Sequence, residues 1–135
     1  GLPIALGIAL SNKNRNVYAV ISDGETTEGS IWESLRILQD RKVHNLKVLI
    51  NVNGWGAYDP ISVNALYLRL KGFVPNFKRI NGHNIEEIIT ALKSKRENVI
   101  FAETHVNQFP FLRGQAAHYY TMNQDDFTLA TNSLK

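Results

Sequence analysis

The sequence predicts an α/β fold, a mostly parallel sheet sandwiched by helices, and two patterns carry that expectation. Short apolar runs alternate along the chain with stretches of helical period, as in repeated strand and helix units. The apolar runs are also continuous, as in VYAVIS and LKVLINV, where a strand with one wet face would alternate. A length of 135 residues with 44% hydrophobic side chains fits one domain with its own core.

Leu2 to Lys13 reads as the first helix and Val17 to Ser22 as a buried strand, short and rich in β-branched residues. Ile31 to Lys42 sets Ile31, Leu35 and Leu38 on one face and Arg, Asp and Lys on the other, which predicts a second helix. Leu46 to Val52 is the second strand, followed by the loop NGWGAYDP and a helix through Asn64 to Leu70. A short strand near Asn76 to Ile80 leads into the turn NGHN. Ile85 to Lys95 carries two acids in its first turn and bases in its last, the arrangement a helix dipole favours. Asn98 to His105 is the last strand, before an irregular tail with a short helix from Asp125.

Charge and composition narrow the function classes. Fifteen Lys and Arg against twelve Asp and Glu give +3, spread without a basic block, so nucleic acid is not expected and an anionic small ligand is compatible. The chain has no cysteine, which removes disulfides and thiolate metal sites and allows a cytoplasmic setting. No apolar run approaches membrane-spanning length, and Gly1 to Leu10 lacks the pattern of a secretory signal. The chain opens on Gly, which predicts further sequence upstream.

In a parallel sheet ligands gather at the carboxyl ends of the strands. The residues expected there are Asp23 and Gly24, Asn53 and Gly54, Asn81 to Asn84, and the segment from Thr104, all sharing one edge. Asp23 and Asn53 are 53 − 23 = 30 residues apart, about one βαβ unit, so the intervening helix returns the chain to the same place. A carboxylate and an amide carbonyl are hard oxygen donors suited to Mg²⁺ or Ca²⁺ rather than zinc. Two protein ligands are few, and magnesium completes its shell with water and phosphate oxygens, which implies a phosphorylated cofactor or substrate. Gly24 admits close approach of a phosphate to the backbone, and the helix start near Ser30 offers unpaired N–H groups. Asp-Gly after a strand is also an ordinary turn or helix cap, and Asn-Gly an ordinary turn, so spacing alone leaves both readings open.

The stretch SDGETTEGSIWES followed by INVNG resembles the thiamine-diphosphate motif, a GDG, about thirty residues, and a closing Asn. EGSIWE is the form found in transketolases more than in pyruvate dehydrogenases or decarboxylases. The resemblance covers nearly the whole chain: GLPIALGIALSNK is similar to the helix after the transketolase cofactor loop, INGHNIEEI to its DGHD segment and HYYTMNQDDFTLA to its closing WHY-type segment.

The resemblance implies that residues 1–135 form a single diphosphate-binding domain of a truncated or split transketolase-like enzyme. Its cofactors would be thiamine diphosphate and Mg²⁺ or Ca²⁺. Asp23 would bind the metal through its carboxylate, Asn53 through its side-chain carbonyl and Trp55 through its main-chain carbonyl, with Gly24 and Glu25 along the diphosphate. Glu28 matches the glutamate that links two active sites across a subunit contact. His118 matches a histidine near the diphosphate and the sugar, and both would be catalytic. An ordinary surface histidine and a glutamate favouring a helix start stand as alternatives. His83 is expected to tie its loop together.

The implied partner is a pyrimidine-binding domain or subunit, in a homo- or hetero-oligomer acting on sugar phosphates, and the chain alone is expected to lack turnover. Two features depart from the family pattern. Ser22 stands in place of the motif's first glycine, and HVNQFPFL replaces the KGKG segment after the last strand. Two alternatives stay open: another thiamine-diphosphate enzyme component, of deoxyxylulose-phosphate synthase or keto-acid dehydrogenase type, against which EGSIWE weighs, and a degenerate binding module without catalysis, which the two departures favour.

Overall fold

The computed structural model describes residues 1–134. It contains α1 (Leu2–Ser11), β1 (Val17–Ser22), α2 (Gly29–Asp40), β2 (Leu46–Val52), α3 (Val63–Phe73), β3 (Phe77–Asn81), α4 (Ile85–Lys93), β4 (Val99–Glu103) and α5 (Gln124–Ser133). Two short 3₁₀ turns, Gly24–Thr27 and Gly114–His118, lie outside the sequence expectation. The strands form one sheet in the order β1-β2-β4-β3 with every pairing parallel.

The core sits mainly on one side of the sheet. Alternate residues of β2 and β4, namely Val48, Ile50, Val52, Val99 and Phe101, pack with α1, α2 and α3 through Leu6, Ile31, Leu35, Leu38, Leu66 and Leu70. The periodicity of α2 is realised: Ile31, Leu35 and Leu38 are all buried. Removing these side chains from water is the main stabilising term, about 25 cal/mol per Å² of apolar surface. The opposite face carries α4, packed through Ala91 on Ile80, Ile100 and Ala102.

Cover on that second face is uneven. Tyr18 and Val20 of the edge strand β1 are 60% and 72% exposed, although their strand reads in sequence as buried. Helix α1 is apolar nearly all round, yet Ile4 is 70% exposed. A helix of that composition is ordinarily enclosed on every side.

Helix ends differ from the periodicity by two or three residues, for local reasons. The first helix stops at Ser11, where Asn12 turns extended. Helix α2 stops at Asp40 and not Lys42, because Lys42 takes φ 50° and closes a Schellman motif: Val43 N–H donates to Leu38 O at 3.0 Å and Lys42 N–H to Gln39 O at 3.1 Å. Among the described residues no helix is long and apolar enough to cross a membrane.

Candidate functional site

All four strand ends meet at one edge, tied by main-chain bonds: Asp23 N–H to Asn51 O, Thr104 N–H to Val52 O and Gly82 N–H to Glu103 O. At the centre lies Asp23, fully buried at the end of β1. Its Oδ2 accepts from Asn53 N–H at 3.0 Å and Gly54 N–H at 2.7 Å, and its Oδ1 accepts from Gly24 N–H at 2.9 Å. The structure thus joins the two residues whose spacing singled them out, and it does so through the Asp23 carboxylate and the Asn53 main chain.

Burial pushes the Asp23 carboxyl above the ordinary carboxylate range, and the donors from Gly54, Gly24 and Asn53 pull against that rise without cancelling it. A positive charge nearby would relieve the penalty on the ionised form. Asn53 Oδ1 accepts from Trp55 N–H at 2.9 Å, and an sp² oxygen keeps a second lone pair. The loop is pinned by Ile61 N–H to Gly54 O and Gly56 N–H to Asp59 O, and the Trp55 carbonyl takes no protein donor among the described residues. Gly54 holds φ 81°, a left-handed conformation that glycine adopts without steric cost.

One carboxylate, one amide oxygen and one free main-chain carbonyl therefore stand in two adjoining turns. This donor set fits a hard divalent cation such as Mg²⁺. Among the described residues no three His, Cys, Asp or Glu cluster as a metal cage.

Ser22 and Glu25 form a reciprocal pair. Glu25 N–H donates to Ser22 Oγ at 3.1 Å, while Ser22 N–H donates to Glu25 Oε2 at 2.9 Å, the two arms of a capping box. The Glu25 carboxylate is thereby folded back onto the turn, and Ser22 braces a position where the resembling motif has glycine. The S-x-x-E spacing is the sequence signal of this pair, which the motif reading missed. Gly24 packs against the loop after β2: a Cβ there would stand 3.3 Å from Gly56 Cα. Thr26 Oγ1 donates to Asp23 O at 2.5 Å, and Trp32 Nε1 donates to Thr26 O at 2.8 Å, which locks the turn to α2.

Glu28 lies at the start of α2, exposed, with no side-chain capping bond. His118 is exposed at the end of the 3₁₀ turn Gly114–His118. That turn docks on the NGWGAYDP loop, as Gln115 Nε2 and Tyr119 OH both donate to Ala57 O, at 3.1 and 2.6 Å. A side chain on Gly114 would meet the Trp55 ring at 3.2 Å. These contacts carry the tail bearing His118 to the loop that follows β2. Among the described residues no hydrogen bond joins the Glu28 or His118 side chain to Asp23. Across the edge, His83 Nε2 accepts from His105 N–H at 3.0 Å, linking the NGHN turn to the segment after β4.

No protein-family model matches the chain. Transketolase of Pongo abelii is 30% identical over 100 residues, covering 67% of this chain and 16% of the relative. A protein of Actinobacillus succinogenes named as one subunit of apulose-4-phosphate transketolase is 27% identical over the whole chain and 54% of the relative. The chain thus spans about half the length, or less, of these curated relatives. The crystal structure of transketolase from Campylobacter jejuni matches 77% of this chain and 19% of that one, with a TM-score of 0.62 and 24% identity, a likeness of fold. The four-stranded parallel α/β architecture and these relatives together support a transketolase-like domain.

Proposed function

We propose that the chain is the diphosphate- and magnesium-binding part of a transketolase-like enzyme. Asp23, Asn53 Oδ1 and the Trp55 carbonyl would hold Mg²⁺, and Gly24 with the 3₁₀ turn that follows it would flank the diphosphate. The observation that carries this reading is the meeting, in two adjoining turns at the carboxyl edge, of the Asp23 carboxylate with Asn53 Oδ1 and with a Trp55 carbonyl that takes no donor among the described residues. Thiamine diphosphate supplies the carbon chemistry by which a two-carbon ketol unit passes between sugar phosphates. This chain's own residues position the charged end. The capping box of Ser22 and Glu25 holds the turn, Asp23 fixes the loop after β2, and exposed His118 is available to donate to an anionic oxygen.

A pyrimidine-binding partner completes the site in this reading. The Actinobacillus relative, whose match takes in the whole of this chain and 54% of its own length, carries the name of one subunit, not of a whole enzyme. The exposed Val20 and Ile4 supply apolar surface for such an association. The test is calorimetric titration of the chain with thiamine diphosphate, with and without Mg²⁺, alongside a ketol-transfer assay. Magnesium-dependent binding without turnover is expected. Turnover by the chain alone contradicts the need for a partner, and binding indifferent to magnesium contradicts the metal role.

A degenerate binding module is the second reading. It is favoured by the engagement of both Asp23 oxygens with main-chain N–H groups and of Glu25 with Ser22. Absence of any thiamine diphosphate binding would support it.

A further inference from the structure

The opposite edge of the sheet holds a second cavity, unrelated to Asp23. It is a half-open cleft of about 920 Å³ at the amino ends of β1 and β2, closed by the C-terminal ends of α1 and α4 and the turn after α2. Its volume is that of a small-molecule site, which runs to about 1,000 Å³. Counting along β2 from Lys47 to Asn53, it lies about 20 Å from the candidate metal site at about 3.3 Å per residue.

The chemistry of the walls is one-sided. Lys13, Arg41, Lys42, Lys93 and Lys95 all line the cleft, and no Asp or Glu does. Among the described residues the side-chain ion pairs are Arg36 with Asp40 and Arg79 with Glu103, so none of these five cations has a carboxylate partner. A sixth, Lys47, is held by the carbonyls of Ser94 and Glu97. The floor is apolar, from Leu10, Val43 and Leu92, with the ring of Tyr18 60% exposed beside them.

Cations near helix C-termini have an ordinary explanation in the helix dipole, and magnitude decides against it here. Three helix ends at about −0.5 charge each amount to about −1.5, which leaves most of five cations unbalanced. Cations clustered on low-dielectric walls focus a positive field into the cleft. Lys42 adds an independent sign. It occupies the left-handed position of the Schellman motif, φ 50°, where glycine is favoured and a residue with a Cβ is strained. The chain keeps a lysine at a position where the backbone favours glycine.

We propose that this cleft binds an organic phosphate of nucleotide size, with a flat apolar body against Tyr18 and Leu10 and its anionic groups among Lys13, Lys42, Lys93 and Lys95. Sugar phosphates without an apolar body would leave the floor unused. The proposal is independent of the reading of the Asp23 edge.

The test uses adenosine triphosphate as probe, in magnesium-free buffer, with amide NMR shifts to locate binding and calorimetry to measure it. Expected are saturable binding, shifts around residues 41–47 and 92–96, and weaker binding of both tripolyphosphate and adenosine. Lys42→Gly relieves the strained backbone, so it should raise the unfolding midpoint while weakening the probe about tenfold, the effect of losing one charged hydrogen bond. Tyr18→Ala should weaken adenosine triphosphate and leave tripolyphosphate unchanged. The proposal is overturned by a lack of saturation, by shifts confined to residues 22–25 and 53–57, by tripolyphosphate binding as tightly as the nucleotide, or by poly-glutamate binding more tightly than either.

Discussion

At the carboxyl edge of the sheet a single buried carboxylate, Asp23, gathers three main-chain N–H groups. At the amino edge five cations face an apolar cleft that contains no carboxylate. Both Asp23 oxygens are engaged within the chain, so the chemistry of the first edge is inseparable from the fold: the carboxylate that would hold a cation also holds two loops together. The second edge is unsatisfied, so its charges are dispensable to folding and available to a ligand. Substitutions at the two edges should therefore move stability and binding in different proportions.

The largest expected effect follows from Asp23→Ala. It strands the N–H groups of Gly24, Asn53 and Gly54 and should cost about 3 kcal/mol or more, read from denaturant unfolding. A loss within about 0.5 kcal/mol, the range of ordinary surface changes, would break the contrast at its root. Glu25→Ala removes one arm of the capping box and should cost about 1 kcal/mol. An unchanged midpoint would mean that the pair does not brace the turn in place of the missing motif glycine.

At the amino edge the sign reverses. Lys42→Gly should stabilise the chain by up to about 1 kcal/mol by relieving the left-handed strain. Destabilisation by this change would show that the Lys42 side chain is needed for the fold.

The smallest effect is a pH dependence. The native Asp23 carboxyl titrates above its unfolded value near 3.8, so within that window the native chain binds more protons than the unfolded one. Its contribution to stability is present below the window and is lost as pH rises through the native value. Measured without magnesium, the stability of the wild type relative to Asp23→Asn should fall as pH increases from about 4, and then level off. A relative stability that rises with pH would contradict the burial penalty.

How much of this was legible in the sequence depends on whether the determinants are local. Strands β1 and β2 were bounded correctly because a continuous apolar run between polar residues leaves little choice of ends. Strand β4 stops at Glu103 and not His105, because Thr104 turns its hydroxyl to Asn51 Oδ1 at 2.7 Å and His105 is drawn to His83. The meeting of Asp23 with Asn53 could be foreseen from the βαβ spacing, whereas the docking of Gln115 and Tyr119 on Ala57 could not. Those bonds cross 58 and 62 residues and leave no periodic trace. The exposure of Tyr18 and Val20 was equally hidden, since an apolar strand reads the same whether or not its second face is covered. The capping box was legible in Ser22 and Glu25, but a motif comparison that registers only a missing glycine passes over it.

The most direct test of the central claim is the magnesium dependence of thiamine diphosphate binding in the wild type, Asn53→Asp and Asn53→Leu, each checked for unchanged folding. The Asp variant keeps an oxygen donor and the Leu variant removes it. The expected result is magnesium-dependent binding in the wild type and Asn53→Asp and its loss in Asn53→Leu. Equal binding by all three, or binding by the wild type that ignores magnesium, would contradict the assignment of this edge as a metal and diphosphate site.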